Sequence, residues 1–203
     1  MTTHQWHRYS GTFLSLYITQ HLLNHLMALH SPQFHILMMD YTRTIYRQWA
    51  VEVLRWAAVL VQVYTGIRLS LKGSGRGDIW ARWQRYSGLY LAFFLLMHTS
   101  AVLYGRFGLG VDTNFWYGAA VVQNRLLAFF FTPYYALAIL AYGTHMSLLF
   151  RFLWLRNNRK VSLEKIAVIN RRTLLWVGVF MILTIGILWG IMRPMDLPAA
   201  YRL

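Results

Sequence analysis

The chain contains no cysteine, so its own side chains cannot build a disulfide, ligate an iron–sulfur cluster or supply a thiol nucleophile. Any redox chemistry has to use another ligand. Acid is scarce as well: Asp and Glu number 6 against 20 Lys and Arg, and charged residues occupy only 13% of the 203 positions. The sequence has no glycine-rich phosphate loop, no zinc-ligand spacing and no hydrolytic triad, so substrate turnover by this chain alone is not expected.

What is present is apolar. With 57% hydrophobic and 17% aromatic residues, the chain has more apolar surface than one small soluble domain can bury, and a bilayer is the simpler solvent. A hydrocarbon core of about 30 Å requires roughly 20 apolar residues per helix. Five stretches meet that requirement, at about 9–29, 48–70, 86–105, 126–150 and 173–193. Transmembrane strands would alternate over roughly ten residues, whereas Leu89–Leu96 and Leu174–Leu188 are continuous runs. The expectation is an all-α integral membrane protein, one domain over residues 1–203, built as a five-helix transmembrane bundle. The residues before the first stretch lack a basic signal-peptide region, so that stretch is expected to be a retained span.

A net charge of +14 would suggest nucleic acid in a soluble protein; here the positions of the charges argue against it. With the amino terminus cytoplasmic, one side receives 13 basic residues, from Arg8 through the groups at 68–85 and 151–172. The other receives 6, namely Arg43, Arg47, Arg106, Arg125, Arg193 and Arg202. The positive-inside rule therefore places the amino terminus in the cytoplasm, most naturally at a bacterial inner membrane or an equivalent energy-transducing membrane. The basic face suits anionic lipid or an acidic peripheral subunit.

The polar connection Leu71–Ala81 separates two related halves. Trp6, Arg8, Tyr9, Ser10 and Gly11 recur as Trp83, Arg85, Tyr86, Ser87 and Gly88, and His21 recurs as His98 at the same offset of 77 residues. Two helices running in the same direction would then carry histidines at matching depth, about 20 Å beyond the inner interface at 1.5 Å per residue. Such a pair fits two axial imidazoles of a haem b, with Gly11 and Gly88 as points of close porphyrin approach. The bland alternative is a pair of interhelical hydrogen-bonding residues. His145 lies nearer the inner face and is a candidate for a second haem, for quinone or for a structural contact. His25, His30 and His35 read as solvated or interfacial. Arg55, the one basic residue inside a span, suits a haem propionate, an ion pair with Glu52 or snorkelling to the interface. Ser10, Arg8, Ser87 and Arg85 are candidates for a quinone carbonyl, or the serines for helix caps. Residues 107–125 read as an outer connection with a short interfacial helix, and Pro133 as a kink point in the fourth span.

The runs Arg8-Tyr-Ser-Gly, His21-Leu-Leu-Asn24, Tyr64-Thr-Gly66 and Gln84-Arg85-Tyr-Ser-Gly followed by His98 resemble the five-helix cytochrome b membrane subunit of succinate dehydrogenase and quinol:fumarate reductase. The resemblance implies a subunit that holds a flavoprotein and an iron–sulfur protein on the cytoplasmic face, binds haem b and exchanges electrons with quinone. In two-haem members, histidines on helices one and three bind one haem and those on helices two and four the other. His21, His98 and His145 match three of these positions; the fourth falls at Gln62 or Val63. That departure leaves the haem nearer the soluble subunits one ligand short, with His145 alone matching. Two further readings stay open: a cytochrome b subunit of another dehydrogenase, and a haem-free structural subunit of a respiratory assembly.

Overall fold

The computed structural model describes residues 1–72, 78–158 and 160–202, and every regular element among them is helical. Most of the polar turn between the two halves, residues 73–77, lies outside the described residues, as does Arg159 of the basic set. The helices are α1 (Thr3–Leu26), α2 (Pro32–Tyr46), α3 (Trp49–Lys72), α4 (Ile79–Leu103), α5 (Phe115–Gln123), α6 (Arg125–Asn157) and α7 (Leu163–Met192).

Local sequence explains where they begin. The first turn of a helix leaves backbone N–H groups without partners, and short polar side chains before it can accept from them. Thr2, Ser31, Asp78, Asn114, Asn124 and Ser162 do so for α1, α2, α4, α5, α6 and α7. Asp78 starts α4 seven residues before the expected 86, and Ser162 starts α7 ten before the expected 173. Both extensions are polar helix that hydropathy alone reads as loop. α2 was not expected at all: Ser31 caps it, Pro32 occupies its first turn, and His35 and Met39 bury one face. The expected short helix in the outer connection is α5.

Among the described residues, four helices are long and apolar enough to cross a membrane: Trp49–Lys72, Ile79–Gly108, Arg125–Asn157 and Leu163–Met192. They make this an all-α, multi-pass membrane protein. Their outward surfaces carry large apolar side chains such as Leu60, Phe129 and Ile182, which only lipid solvates without cost. α1 has the 24 residues of α3 but is not among the four, its apolar run being broken by His7, Arg8, Gln20, His21, Asn24 and His25.

The five long helices close a ring, α1 packing on α3, α3 on α4, α4 on α6, α6 on α7, and α7 on α1. One end of the ring holds the starts of α1 and α4; the other is covered by α2, which contacts α1 and α5, and by α5, which packs on α6 and α7. Between them sit two apolar clusters, Leu14, Ala58, Val59, Val63 and Ala92 within the ring, and Ala28, Phe115, Ala119, Val122 and Ile191 under the cover. The cover needs glycine where chain segments meet: a Cβ on Gly105 would fall 2.8 Å from the Tyr117 ring, and one on Gly190 3.1 Å from Ala28.

Candidate functional site

A cavity of about 250 Å³ lies inside the ring beneath α2 and α5. It is larger than the roughly 150 Å³ that admits a benzene in an engineered protein core. Apolar walls come from Leu14, Ile18, Met39, Val59, Leu91 and Ile139, while histidines and arginines gather toward the covered end.

His21 of α1 and His98 of α4 face each other across it, with ring centres 6.1 Å apart and ring planes 58° apart. Each ring is held by an aromatic neighbour: Tyr17 stacks on His21 with centres 5.9 Å apart, and Phe94 on His98 at 5.1 Å. Two metal–nitrogen bonds of about 2 Å, plus about 1.1 Å from each nitrogen to its ring centre, put trans imidazoles roughly 6.3 Å apart. The observed spacing fits a bis-imidazole haem. Among the described residues no group of three or more His, Cys, Asp or Glu could hold a bare metal ion; a haem brings four ring nitrogens and asks the protein for only two ligands. His21 Nε2 also lies 3.1 Å from His25 Nε2.

The polar groups here are unusually exposed to desolvation. Six buried side-chain polar atoms have no hydrogen-bond partner among the described residues, and five of them belong to cavity residues: Asn24 Oδ1, His25 Nδ1, His35 Nδ1, Arg43 Nε and Arg55 Nε. Each costs on the order of 1–3 kcal/mol if left without a partner. Their concentration in one cavity points to a polar ligand.

Charge at the covered end is paired. Arg55, only 6% exposed, sits 3.4 Å from Glu52, with its guanidinium over the rings of Tyr17, Tyr46 and Trp56 at 4.8, 5.3 and 4.5 Å. Glu52 also bonds Arg106 at the end of α4. Thus Arg55 has the ion pair that the sequence offered as one alternative, and it remains in the cavity wall. On the cover, Asp112 takes a forked pair of hydrogen bonds from Arg43 at 2.9 and 3.0 Å and one from Arg47 at 3.3 Å. Burial opposes ionisation of Asp112, but the bonds and charge of Arg43 and then Arg47 outweigh it and hold the carboxyl below its ordinary value.

Of the solvated and interfacial alternatives that the sequence left for His25 and His35, the solvated one does not hold. His35 is 2% exposed, its Nε2 lying 3.3 Å from Asn24 Nδ2 and its ring against Phe115. Burial first, and the nearby Arg43 second, lower its pKa to about 4, so it is neutral at pH 7. The physical reason for the difference is α2, which folds back over α1 and carries His35 inward. His30 stays exposed.

A second polar layer occupies the end where α1 and α4 begin. Ser10 Oγ donates to Gln62 Oε1 at 2.7 Å, Gln62 Nε2 donates to His7 Nε2 at 3.3 Å, and His7 Nδ1 meets Thr65 Oγ1 at 3.0 Å. The other half repeats this with types exchanged: Gln84 Nε2 meets His145 Nε2 at 3.2 Å, and His145 Nδ1 lies 3.3 Å from Ser87 Oγ and 3.2 Å from the Gln84 carbonyl. Both ring nitrogens of His145 are engaged by protein. Glycines admit the pairs closely, a Cβ on Gly11 falling 3.1 Å from Gln62 and one on Gly88 3.0 Å from His145. Gly11 and Gly88 therefore pack against this layer and not against the cavity. Arg8 is exposed and lies over Tyr9; Arg85 is half-buried.

The sequence reading overlooked the inward roles of His35, Asn24 and His7. A signal for His35 was present in the Ser31-Pro32 helix start and the His35 to Met39 spacing of one turn. Compared with models of known protein families, with curated proteins and with solved structures, the chain matches none.

Proposed function

We propose that the chain is the haem b-binding, quinone-reactive membrane-anchor subunit of a respiratory complex of the succinate dehydrogenase or fumarate reductase type. The observation that carries this reading is the His21–His98 pair, two imidazoles from parallel helices at bis-ligand spacing. His21 and His98 would hold the haem iron, and Tyr17 and Phe94 stack on their rings and fix their rotation. When bound there, haem b supplies reversible one-electron transfer. Arg55 and Arg43 line the covered end of the cavity, where a haem propionate would share their guanidinium groups with Glu52 and Asp112. In this reading α1 is the fifth span, the amino terminus is cytoplasmic, and the covered end faces outward. The basic inner face then holds the flavoprotein and iron–sulfur subunits.

A haem-free structural subunit is the second reading, and the inner layer favours it for that half of the membrane: both ring nitrogens of His7 and of His145 are engaged by protein, Gln84 Oε1 being the one buried side-chain polar atom there without a partner among the described residues. Gly143 of α6 is covered by Phe180, whose ring an added Cβ would overlap, so no porphyrin edge can approach the backbone there. One haem per chain is therefore proposed, at His21 and His98. A reduced-minus-oxidised spectrum of the purified protein, with haem quantified per chain, tests it: one haem is expected, and none would end the cytochrome reading. Co-purifying soluble subunits distinguish succinate dehydrogenase from another dehydrogenase.

A further inference from the structure

The sequence of α2 sorts its side chains onto three faces. At about 100° per residue, His35, Met39, Thr42 and Tyr46 share one face, and all four are buried or half-buried. Gln33, Asp40 and Thr44 share a second, which is exposed and polar. Leu37, Tyr41 and Ile45 lie within about 80° of one another on a third, and they are 63%, 72% and 62% exposed. A helix between a protein core and water needs only an apolar and a polar face. The third face is surplus to that need, and it borders the polar one directly. It also continues the lipid-facing surface of the long helices: α2 ends at Tyr46, and Trp49, Val53 and Leu60 of the following α3 are 80%, 58% and 64% exposed. Charge beside it is balanced within the chain. Arg43 pairs with Asp40 at 3.1 Å and with Asp112 at 2.9 Å, and Arg47 pairs with Asp112 at 3.3 Å.

We infer that α2 is an interfacial helix lying edgewise in the bilayer surface, with Leu37, Tyr41 and Ile45 among the lipid glycerol groups and the start of the acyl chains. A bilayer passes from apolar to aqueous over a depth comparable to the width of one helix. Adjacent apolar and polar exposed faces on one helix match that boundary, and Tyr41 and Trp49 are the residue types that favour it. Apolar burial holds the helix there, because the balanced arginines leave little net charge for anionic lipid to attract. The cover of the cavity is thereby fastened to the membrane by the same helix that turns His35 and Met39 inward. This inference needs only the membrane class of the chain and is independent of haem and quinone.

The absence of cysteine from the chain makes the test direct, since one introduced thiol carries one nitroxide label. Leu37→Cys, Tyr41→Cys and Ile45→Cys are compared with Gln33→Cys, Asp40→Cys and Thr44→Cys in the full chain, reconstituted in phosphatidylcholine vesicles. All these side chains are exposed, so the substitutions leave the packing of α2 in place. Collisions of each label with oxygen, which concentrates in lipid, and with a water-soluble nickel chelate are measured by electron paramagnetic resonance. Oxygen collisions should exceed nickel collisions severalfold at 37, 41 and 45, and the order should reverse at 33, 40 and 44. The same contrast is expected when half of the lipid is phosphatidylglycerol. High nickel access at 37, 41 and 45 would mean that this face meets water. Low access to both reagents would mean that a second copy or another protein covers it. Either result overturns the inference, and a contrast that appears only with phosphatidylglycerol overturns its apolar basis.

Discussion

Gln62 of α3 stands to Ser10 of α1 as His145 of α6 stands to Ser87 of α4, each meeting its serine across a helix pair at 2.7 and 3.3 Å. The repeated phrase in the sequence is thus a repeated packing unit in which histidine and glutamine have changed places, His7 answering Gln62 and Gln84 answering His145. A buried polar pair with its hydrogen bonds made is a low-energy contact, and removing one member leaves the other desolvated. The layer where α1 and α4 begin is built for helix packing, and five of the six open polar atoms are gathered at the other end.

That division predicts which histidines hold haem. His21→Ala and His98→Ala are each expected to abolish the haem spectrum, because one axial ligand of the pair is lost. His145→Ala should retain one haem per chain and lower stability by about 1–3 kcal/mol through the unpaired Gln84. Absorbance at the Soret band per unit protein, together with melting temperature, reads both effects.

The glycines predict a graded series. Gly143→Ala puts a Cβ 2.1 Å from the Phe180 ring, Gly88→Ala puts one 3.0 Å from His145, and Gly178→Ala meets nothing within 4 Å. Overpacking typically costs about 1–3 kcal/mol, with the largest cost at the closest contact. Gly178→Ala should instead be neutral or stabilise by up to about 1 kcal/mol through helix propensity. Thermal unfolding in detergent, followed by tryptophan fluorescence, should rank the three in that order.

Glu52 and Arg55 should behave asymmetrically. Glu52 is shared by Arg55 and Arg106, so Glu52→Gln strands two guanidinium groups inside the protein, whereas Arg55→Gln leaves the Glu52–Arg106 pair intact. Breaking a buried pair costs on the order of 3–5 kcal/mol. Glu52→Gln is expected near that value and Arg55→Gln well below it. Equal losses in unfolding experiments would contradict the shared arrangement.

His35 predicts a pH dependence on the acid side. Its pKa is about 4 in the folded chain, against 6.5 ordinarily, so the unfolded chain binds the proton more readily. Its contribution is therefore fully present above about pH 6.5 and is lost as pH falls toward 4, by up to about 3 kcal/mol at 1.36 kcal/mol per pKa unit. His35→Phe should flatten that part of the stability profile. A profile unchanged by the substitution would mean that His35 is not the group titrating.

Hydrophobic run length and the sparse charges determined the membrane class and the long helices, since the cost of putting backbone and apolar side chains in the wrong solvent depends on composition alone. The 77-residue repeat likewise made His21 and His98 legible as a pair, because equal offsets in two parallel helices mean equal depth. Only the tertiary structure decided which polar groups were already satisfied. The pairing of His145 with Gln84, the reach of Arg106 to Glu52, and the folding of α2 that buries His35 against Asn24 join residues 11 to 61 positions apart. Hydrogen bonds and ion pairs depend on distances of a few ångströms between such residues, and helical periodicity sets the facing of each side chain but not the neighbour it meets.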